Sequence, residues 1–261
     1  MDRRSLIFPA AEYRRRVAAL QEEMAAVGLD ALLLSTPPDV YYVTGFLTRF
    51  WASPARPWFV IVPGSGAPVA VIPAIGLELM NRTWVEDIRT WDAPDPRDDG
   101  VSLLIDALSE AATQRGQIGL PMGPETHLRM PLADYARVVE GLAPRSFTDA
   151  TGVVRRVREV KSVDEIARIR AACGAADRAF ARVPEIVEAG RTLADVFRDF
   201  QIALLEGGAD WVSYVAGGAG PQGYGDVISP ADDRVLRSGD VQMLDTGAVR
   251  DGYLCDFDRN F

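Results

Sequence analysis

Lysine is almost absent from this chain: Lys161 is the only one, so nearly all of the 28 basic residues are arginine. They are outnumbered by 37 acidic residues, which leaves a formal net charge of -9. A chain of that balance has no general attraction to nucleic acid or to an anionic membrane surface. No apolar run approaches the roughly 20 residues that a membrane span needs, and the apolar run near the N-terminus is too short for a signal peptide, so a cytoplasmic location is expected. There are two cysteines, Cys173 and Cys255, without metal-ligand spacing. Cys173 falls on an apolar helical stripe and Cys255 alternates away from Asp256, so both read as small buried hydrophobes. His127 is the only histidine. It stands far in sequence from the acidic motif described below and reads as structural. Internal repeats and low-complexity tracts are also lacking.

What is present suffices for two cores: 261 residues, 48% of them hydrophobic. Glu12 to Gly28 reads as an amphipathic helix with Tyr13, Val17, Leu20, Met24 and Val27 on one stripe, ended by Gly28. Strands follow at 30–35, 58–62 and 68–72, the last two separated by the Gly64 to Gly66 turn; further on come a helix at 102–114, a strand at 117–120 and a helix at 132–141. This alternation is an α/β pattern. The acidic stretch from Asp92 to Gly100 reads as a solvated loop. Domains are expected at 1–152 and 153–261. The second opens on Ser162 and Glu165, a reciprocal capping pair, followed by Ile166, Ile169, Cys173, Ala176, Phe180 and Val183 at helical spacing. Thr192 caps another helix, to about Glu206, with Val196, Phe200 and Leu204 inward. A strand at 211–215 leads into a glycine-rich loop, Gly217 to Gly225. That loop contains a formal G-x-G-x-x-G, but Pro221, Gly225 and Pro230 spoil the helix that a dinucleotide site requires.

The residues with most chemical content are the last seventeen. Asp251-Gly252 supplies a two-residue turn that tolerates positive φ, between β-prone Val249 and Tyr253. The simplest register sets Arg250 opposite Tyr253, Gly247 opposite Asp256 and Asp245 opposite Asp258. Asp245, Asp256 and Asp258 then share one face, and the diagonal pair Asp245 and Asp256 sits roughly 7–8 Å apart. Such carboxylates repel one another unless a cation lies between them, and hard oxygens suit Mg, Mn, Co or Zn. A solvated acidic hairpin accounts for the same pattern.

This hairpin resembles the metal-binding hairpin of the creatinase, prolidase and aminopeptidase P family, the pita-bread metallopeptidases. Segments from Ser238 to Asp245 and from Gly252 to Phe261 resemble the strands carrying that family's two aspartate ligands. The segment from Lys161 to Ile166 resembles the opening of its catalytic domain, and Val43 to Phe46 a turn of its N-terminal domain. The resemblance implies a creatinase-type mixed-sheet α/β domain followed by a pita-bread α+β catalytic domain. It implies Asp245 and Asp256 as ligands of a divalent metal, two ions of Mn, Co or Zn, with Asp258 a neighbour. The activity implied is that of an Xaa-Pro aminopeptidase or dipeptidase, in which metal-activated water attacks a peptide bond next to proline. A homodimer is implied as well, in which Arg49, Trp51 or Arg56 shapes the entry of a small peptide or small-molecule substrate.

Two departures qualify the match. The family completes its site with a histidine and two glutamates further along, whereas no glutamate follows Glu206 and no histidine follows His127. The expectation is therefore a chain truncated within the catalytic domain. The family's peptidases also carry a histidine upstream of the first aspartate, and here that position is Ile228, which can neither donate a hydrogen bond nor move a proton. Tyr224 and Asp226 are the nearest candidates for its role. Otherwise the protein is a non-peptidase member, a lyase or hydrolase of a small zwitterionic metabolite. A complete 261-residue chain would instead be a non-catalytic dimerisation or binding module.

Overall fold

The computed structural model describes residues 6–52 and 56–261. They fall into two compact units that meet at Val160 and Lys161. The sequence reading divides the chain earlier, at 152/153, within a helix that packs with the first unit.

In the first unit, helix α1 (Ala10–Ala26) precedes strand β1 (Ala31–Leu34), helix α2 (Pro37–Thr44), strands β2 (Phe59–Pro63) and β3 (Val69–Pro73), and the short α3 (Leu77–Met80). Then come β4 (Asp87–Trp91), α4 (Val101–Ala111), β5 (Gln117–Leu120), α5 (Leu132–Leu142), β6 (Ser146–Asp149) and α6 (Thr151–Glu159). The sheet order is β4-β3-β2-β1-β5-β6, with antiparallel pairs at the centre and parallel pairs outside, a mixed sheet. Strand β1 is buried at all four positions because helices cover both faces of the sheet. On one face, Leu33, Ile61 and Ile118 meet Leu104, Leu108 and Val138 of α4 and α5. On the other, Leu32, Leu34 and Val60 are equally buried, on the side of α1 with its Tyr13, Val17, Leu20 and Met24.

Several local expectations change. Val27 leaves the α1 stripe and is half exposed, because the helix stops at Ala26. Helix α2 escapes a periodicity search because Asp39 to Thr44 are all buried; two prolines open it and Gly45, at φ 79°, ends it. Helix α6 is absent from the sequence reading, as are the strands β4 and β6 at the two edges of the sheet, which lack fully buried positions. In the Asp92 to Gly100 loop, Asp99 accepts from Trp91 Nε1 at 2.8 Å and Asp98 accepts the Ser102 amide at 3.0 Å, so part of this charge anchors the start of α4 rather than facing only water.

The second unit contains α7 (Val163–Ala181), α8 (Val183–Ile186), α9 (Leu193–Glu206), β7 (Trp211–Gly220), β8 (Val241–Arg250), β9 (Tyr253–Leu254) and β10 (Phe257–Asn260). The capping box at Ser162 and Glu165 forms as expected, and Thr192 caps α9. The buried stripe of α7 runs through Ala172, Ala175, Ala176, Ala179 and Phe180, while Ile166 is 37% exposed and Cys173 only partly buried. The small side chains let α7 approach α9 and β8 closely, so the apolar face is rotated from the one that larger residues suggest. Cys255 is buried in this core. Strand β7 extends through Gly217 to Gly220, which the sequence reading places in a loop. A Cβ at Gly217 would lie 2.0 Å from the Met243 carbonyl, at Gly218 2.5 Å from the Asp226 carbonyl and at Gly220 2.3 Å from the Gly223 carbonyl. These glycines admit the close approach of the chain's own backbone. No helix among the described residues is long and apolar enough to cross a membrane.

Candidate metal centre

The turn after β8 forms at Asp251 (φ 53°) and Gly252 (φ 78°), the pair of positive angles that a two-residue hairpin needs. Arg250 pairs with Tyr253, the Cys255 amide donates to the Ala248 carbonyl at 3.0 Å, and Asp258 pairs with Asp245. The register is the one read from the turn. Side-chain contacts help to hold the hairpin: the Asp251 amide donates to Asp210 Oδ2 at 2.6 Å, Arg168 pairs with Asp251 at 2.9 Å, and the Tyr253 hydroxyl donates to Glu165 at 3.0 Å.

The sequence reading passes over Tyr214, whose hydroxyl lies 2.8 Å from Asp256 Oδ1 and 3.3 Å from Asp245 Oδ1. Strict alternation from Trp211, which pairs with Val249, places Ser213 on the face of Asp245 and Tyr214 on the opposite one. A bulge between Val212 and Val215 changes that: two residues, Ser213 and Tyr214, oppose the single Gly247. The tyrosine is thereby swung onto the carboxylate face. Gly247 makes room for it, since a Cβ there would lie 2.5 Å from Tyr214 Cε1. A Gly directly across from an aromatic residue was the available signal, but the bulge that uses it has no marker in β7.

Burial, followed by the charges of Asp256 and Asp258, holds the Asp245 carboxyl above its ordinary pKa, although the Tyr214 hydrogen bond opposes this. Burial and the two neighbouring carboxylates push the Tyr214 hydroxyl strongly upward, so it stays a donor. Two hard-oxygen groups thus converge on one hydroxyl under mutual repulsion, an arrangement that fits a divalent cation between them. Among the described residues no group of three or more His, Cys, Asp or Glu has a metal-binding arrangement. Asp245 and Asp256 by themselves are fewer than the three or more protein ligands that a catalytic ion takes.

The other candidates are more dispersed. Asp226 accepts the amides of Ile228 at 3.0 Å and Ser229 at 3.1 Å and is held below the ordinary carboxylate range by its bonds to Ser229 and Ile228, so it shapes its own loop. The Tyr224 hydroxyl donates to Asn260 at 2.7 Å. Both line a cavity of about 130 Å³ with Ser229 and Arg234, while Ile228 itself is 88% exposed. In the first unit, Trp51 packs with Phe46 and Trp58, Arg56 lies 5.3 Å over the Phe50 ring, and Arg49 is exposed. Arg129, also missed by the sequence reading, ties this cluster together: it stacks 5.1 Å from Trp51 and donates to the carbonyls of Trp51 and Arg56.

Comparison with known proteins accounts for both units. The model of the Creatinase/Prolidase N-terminal domain matches residues 16–160. The chain belongs to the creatinase/prolidase family. The model of Metallopeptidase family M24 matches residues 167–261. The chain is 33% identical over 260 residues to the probable dipeptidase PepE of Mycobacterium tuberculosis, covering 97% of this chain and 64% of that protein. It is 26% identical over 250 residues to the Xaa-Pro dipeptidase of Pyrococcus horikoshii, covering 94% and 63%. The crystal structure of dipeptidase PepE from Mycobacterium ulcerans superposes with a TM-score of 0.76 at 28% identity, over 97% of this chain and 65% of that one. The chain thus spans about 64% of the length of curated relatives in the creatinase/prolidase family. Its fold is the mixed-sheet α/β domain and pita-bread part that the family implies.

Proposed function

We propose that the full-length protein is a metal-dependent peptidase acting on short peptides, in which Asp245 and Asp256 supply part of the ligand set for two divalent ions, Mn, Co or Zn. The observation that carries this reading is the convergence of the two carboxylates on the Tyr214 hydroxyl, Asp245 from β8 and Asp256 from the segment between β9 and β10. A bound divalent ion supplies Lewis acidity and a nucleophile from water at neutral pH. The chain's own residues orient it: the bulge and Gly247 seat Tyr214, which donates to both carboxylates and fixes which of their oxygens remain for a cation. The matched M24 model and the dipeptidase names of the relatives support peptide hydrolysis, and one relative named an Xaa-Pro dipeptidase supports a preference for proline. The same proposal assigns Arg49, Trp51 and Arg56 to substrate entry in a homodimer.

A second reading rests on Ile228, whose aliphatic side chain projects to solvent from the loop beside the Tyr224 and Asp226 cavity. It offers no proton to a leaving group, which suits a non-peptidase reaction on a small zwitterionic metabolite. The two readings part in one experiment: metal content and hydrolysis of Xaa-Pro and non-prolyl dipeptides by the full-length protein and its Asp245→Asn and Asp256→Asn variants. The peptidase reading expects metal in the wild type and Xaa-Pro cleavage that falls more than about 100-fold in both variants, since removing an outer partner of a metal ligand already costs about 10–100-fold and a ligand costs more. Metal binding without dipeptide cleavage supports the second reading. Equal metal content in wild type and variants overturns both.

A further inference from the structure

On the helix side of the second unit's sheet lies a cavity of about 400 Å³ that the metal centre does not use, lined by Arg168, Arg170, Gly174, Arg178, Arg250 and Asp251, with Ala171 and Gly208. Four arginines and one carboxylate line it, and Asp210 lies 3.9 Å from Arg250, in a chain whose formal charge is -9. The arginines come from two places, the outer face of α7 and the end of β8, so no single amphipathic pattern gathers them.

Three of the four are held by protein partners, Arg168 by Asp251 at 2.9 Å and the other two by backbone carbonyls. Arg178 donates through Nε at 2.8 Å and Nη2 at 2.6 Å to the Gly207 carbonyl at the end of α9, and Arg250 Nη1 donates to the Gly208 carbonyl at 2.6 Å. Positive charge at that helix end complements the macrodipole, which explains these two bonds. It does not explain Arg170, exposed on α7. The Arg178 and Arg250 guanidinium groups flank one glycine: a Cβ at Gly208 would lie 3.5 Å from Arg178 Nη2 and 3.7 Å from Arg250 Nη1. Gly174 likewise leaves the approach to Arg178 Nη1 open, with its Cβ position 3.3 Å away. Neighbouring guanidinium groups repel one another and an anion seated among them relieves this, and because three are already held by protein partners, binding costs little side-chain entropy.

We propose that this cavity binds a phosphate or diphosphate group of a small soluble metabolite. Planar guanidinium forks match tetrahedral oxyanions bidentately, and the volume admits a diphosphate. The site is separate from the metal centre: Asp245 and Arg250 are five positions apart on β8, so they point to opposite faces of the sheet.

The test is calorimetric titration of the full-length protein with inorganic phosphate and with pyrophosphate, on wild type, Arg170→Glu, Arg170→Ala and Asp245→Asn. The expected result is saturable binding to wild type, tighter for pyrophosphate. It should weaken roughly tenfold or more in Arg170→Glu, weaken less in Arg170→Ala and be retained in Asp245→Asn. Arg170 is exposed, so the unliganded melting temperature should not change; if Arg170→Glu fails to fold, Arg170→Ala carries the comparison. Absence of binding to wild type at about 10 mM of either probe, affinity well below the weakest specific range, overturns the proposal. So does equal binding by the Arg170 variants, and so does binding that is lost in Asp245→Asn, which would assign the anion to the metal centre. A change of oligomeric state in Arg170→Glu with no phosphate binding overturns it too, and makes the face a protein contact.

Discussion

At the scale of single residues, the candidate site depends on one glycine and one tyrosine. Gly247→Ala places a methyl group 2.5 Å from the Tyr214 ring, so the ring must leave the carboxylates or the strands must part. Overpacking of this kind costs about 1–3 kcal/mol, which a urea titration would resolve. Tyr214→Phe keeps the ring and removes only the hydroxyl. The expected outcome is an unchanged melting temperature for the metal-free protein and a loss of about 10–100-fold in metal affinity, read by competition with a chelator. An unchanged affinity would mean that the hydroxyl merely fills space. Asp149 gives a residue-scale prediction in the other unit. Its carboxyl is held below the ordinary aspartate value of 3.8 chiefly by the Thr151 hydroxyl, then by the amides of Thr151 and Met122. A depressed folded pKa contributes stability that is present above pH 3.8 and is lost as pH falls through the folded value. Asp149→Asn should therefore lower the urea midpoint at pH 7, and the gap from wild type should close as the pH drops below that window. The carboxylate is exposed, so the effect is small.

At the scale of elements, caps and turns were legible because their chemistry is local. Ser162 accepts from the Glu165 amide at 3.2 Å while Glu165 accepts from the Ser162 amide at 2.9 Å. Ser162→Ala should cost about 1 kcal/mol of stability, measurable as a shift in the chemical midpoint with unchanged slope. The Asp251-Gly252 turn likewise set the hairpin register, because only residues tolerant of positive φ fit there. What could not be read locally was any element whose burial is not periodic. Helix α2 is buried from Asp39 to Thr44, so no polar face betrays its period. The stripe of α7 is made of alanines whose inward direction depends on α9 and β8 being there. The glycines of β7 read as a loop by composition, yet they are a strand because the Met243, Asp226 and Gly223 carbonyls pass close to them.

At the scale of the molecule, two compact units carry two different kinds of information. The first is a sheet covered by helices on both sides, and its sequence announces it through runs such as Leu32 to Leu34 and Phe59 to Val62. The second brings Asp245 and Asp256 together on the Tyr214 hydroxyl, and the proposed metal site needs more ligands than these two. Metal should therefore stabilise the full-length protein well above the level seen in the Asp245→Asn variant. A chelator should lower the melting temperature of wild type and leave that of the variant nearly unchanged, because only the form that binds is stabilised. Equal melting temperatures with and without chelator in wild type would remove the metal from the site.

The sequence by itself determined the class of fold, the helix caps, the hairpin register and the placement of Asp245 and Asp256 on one face. All of these follow from residue chemistry within a few positions and from the period of two along a strand. Only the tertiary structure decided that Tyr214 joins them and that Arg168, Arg170, Arg178 and Arg250 line one cavity. A bulge shifts alternation by one residue without altering composition. The cavity is assembled from segments some 70 residues apart in the chain, whose distance in space no local pattern encodes.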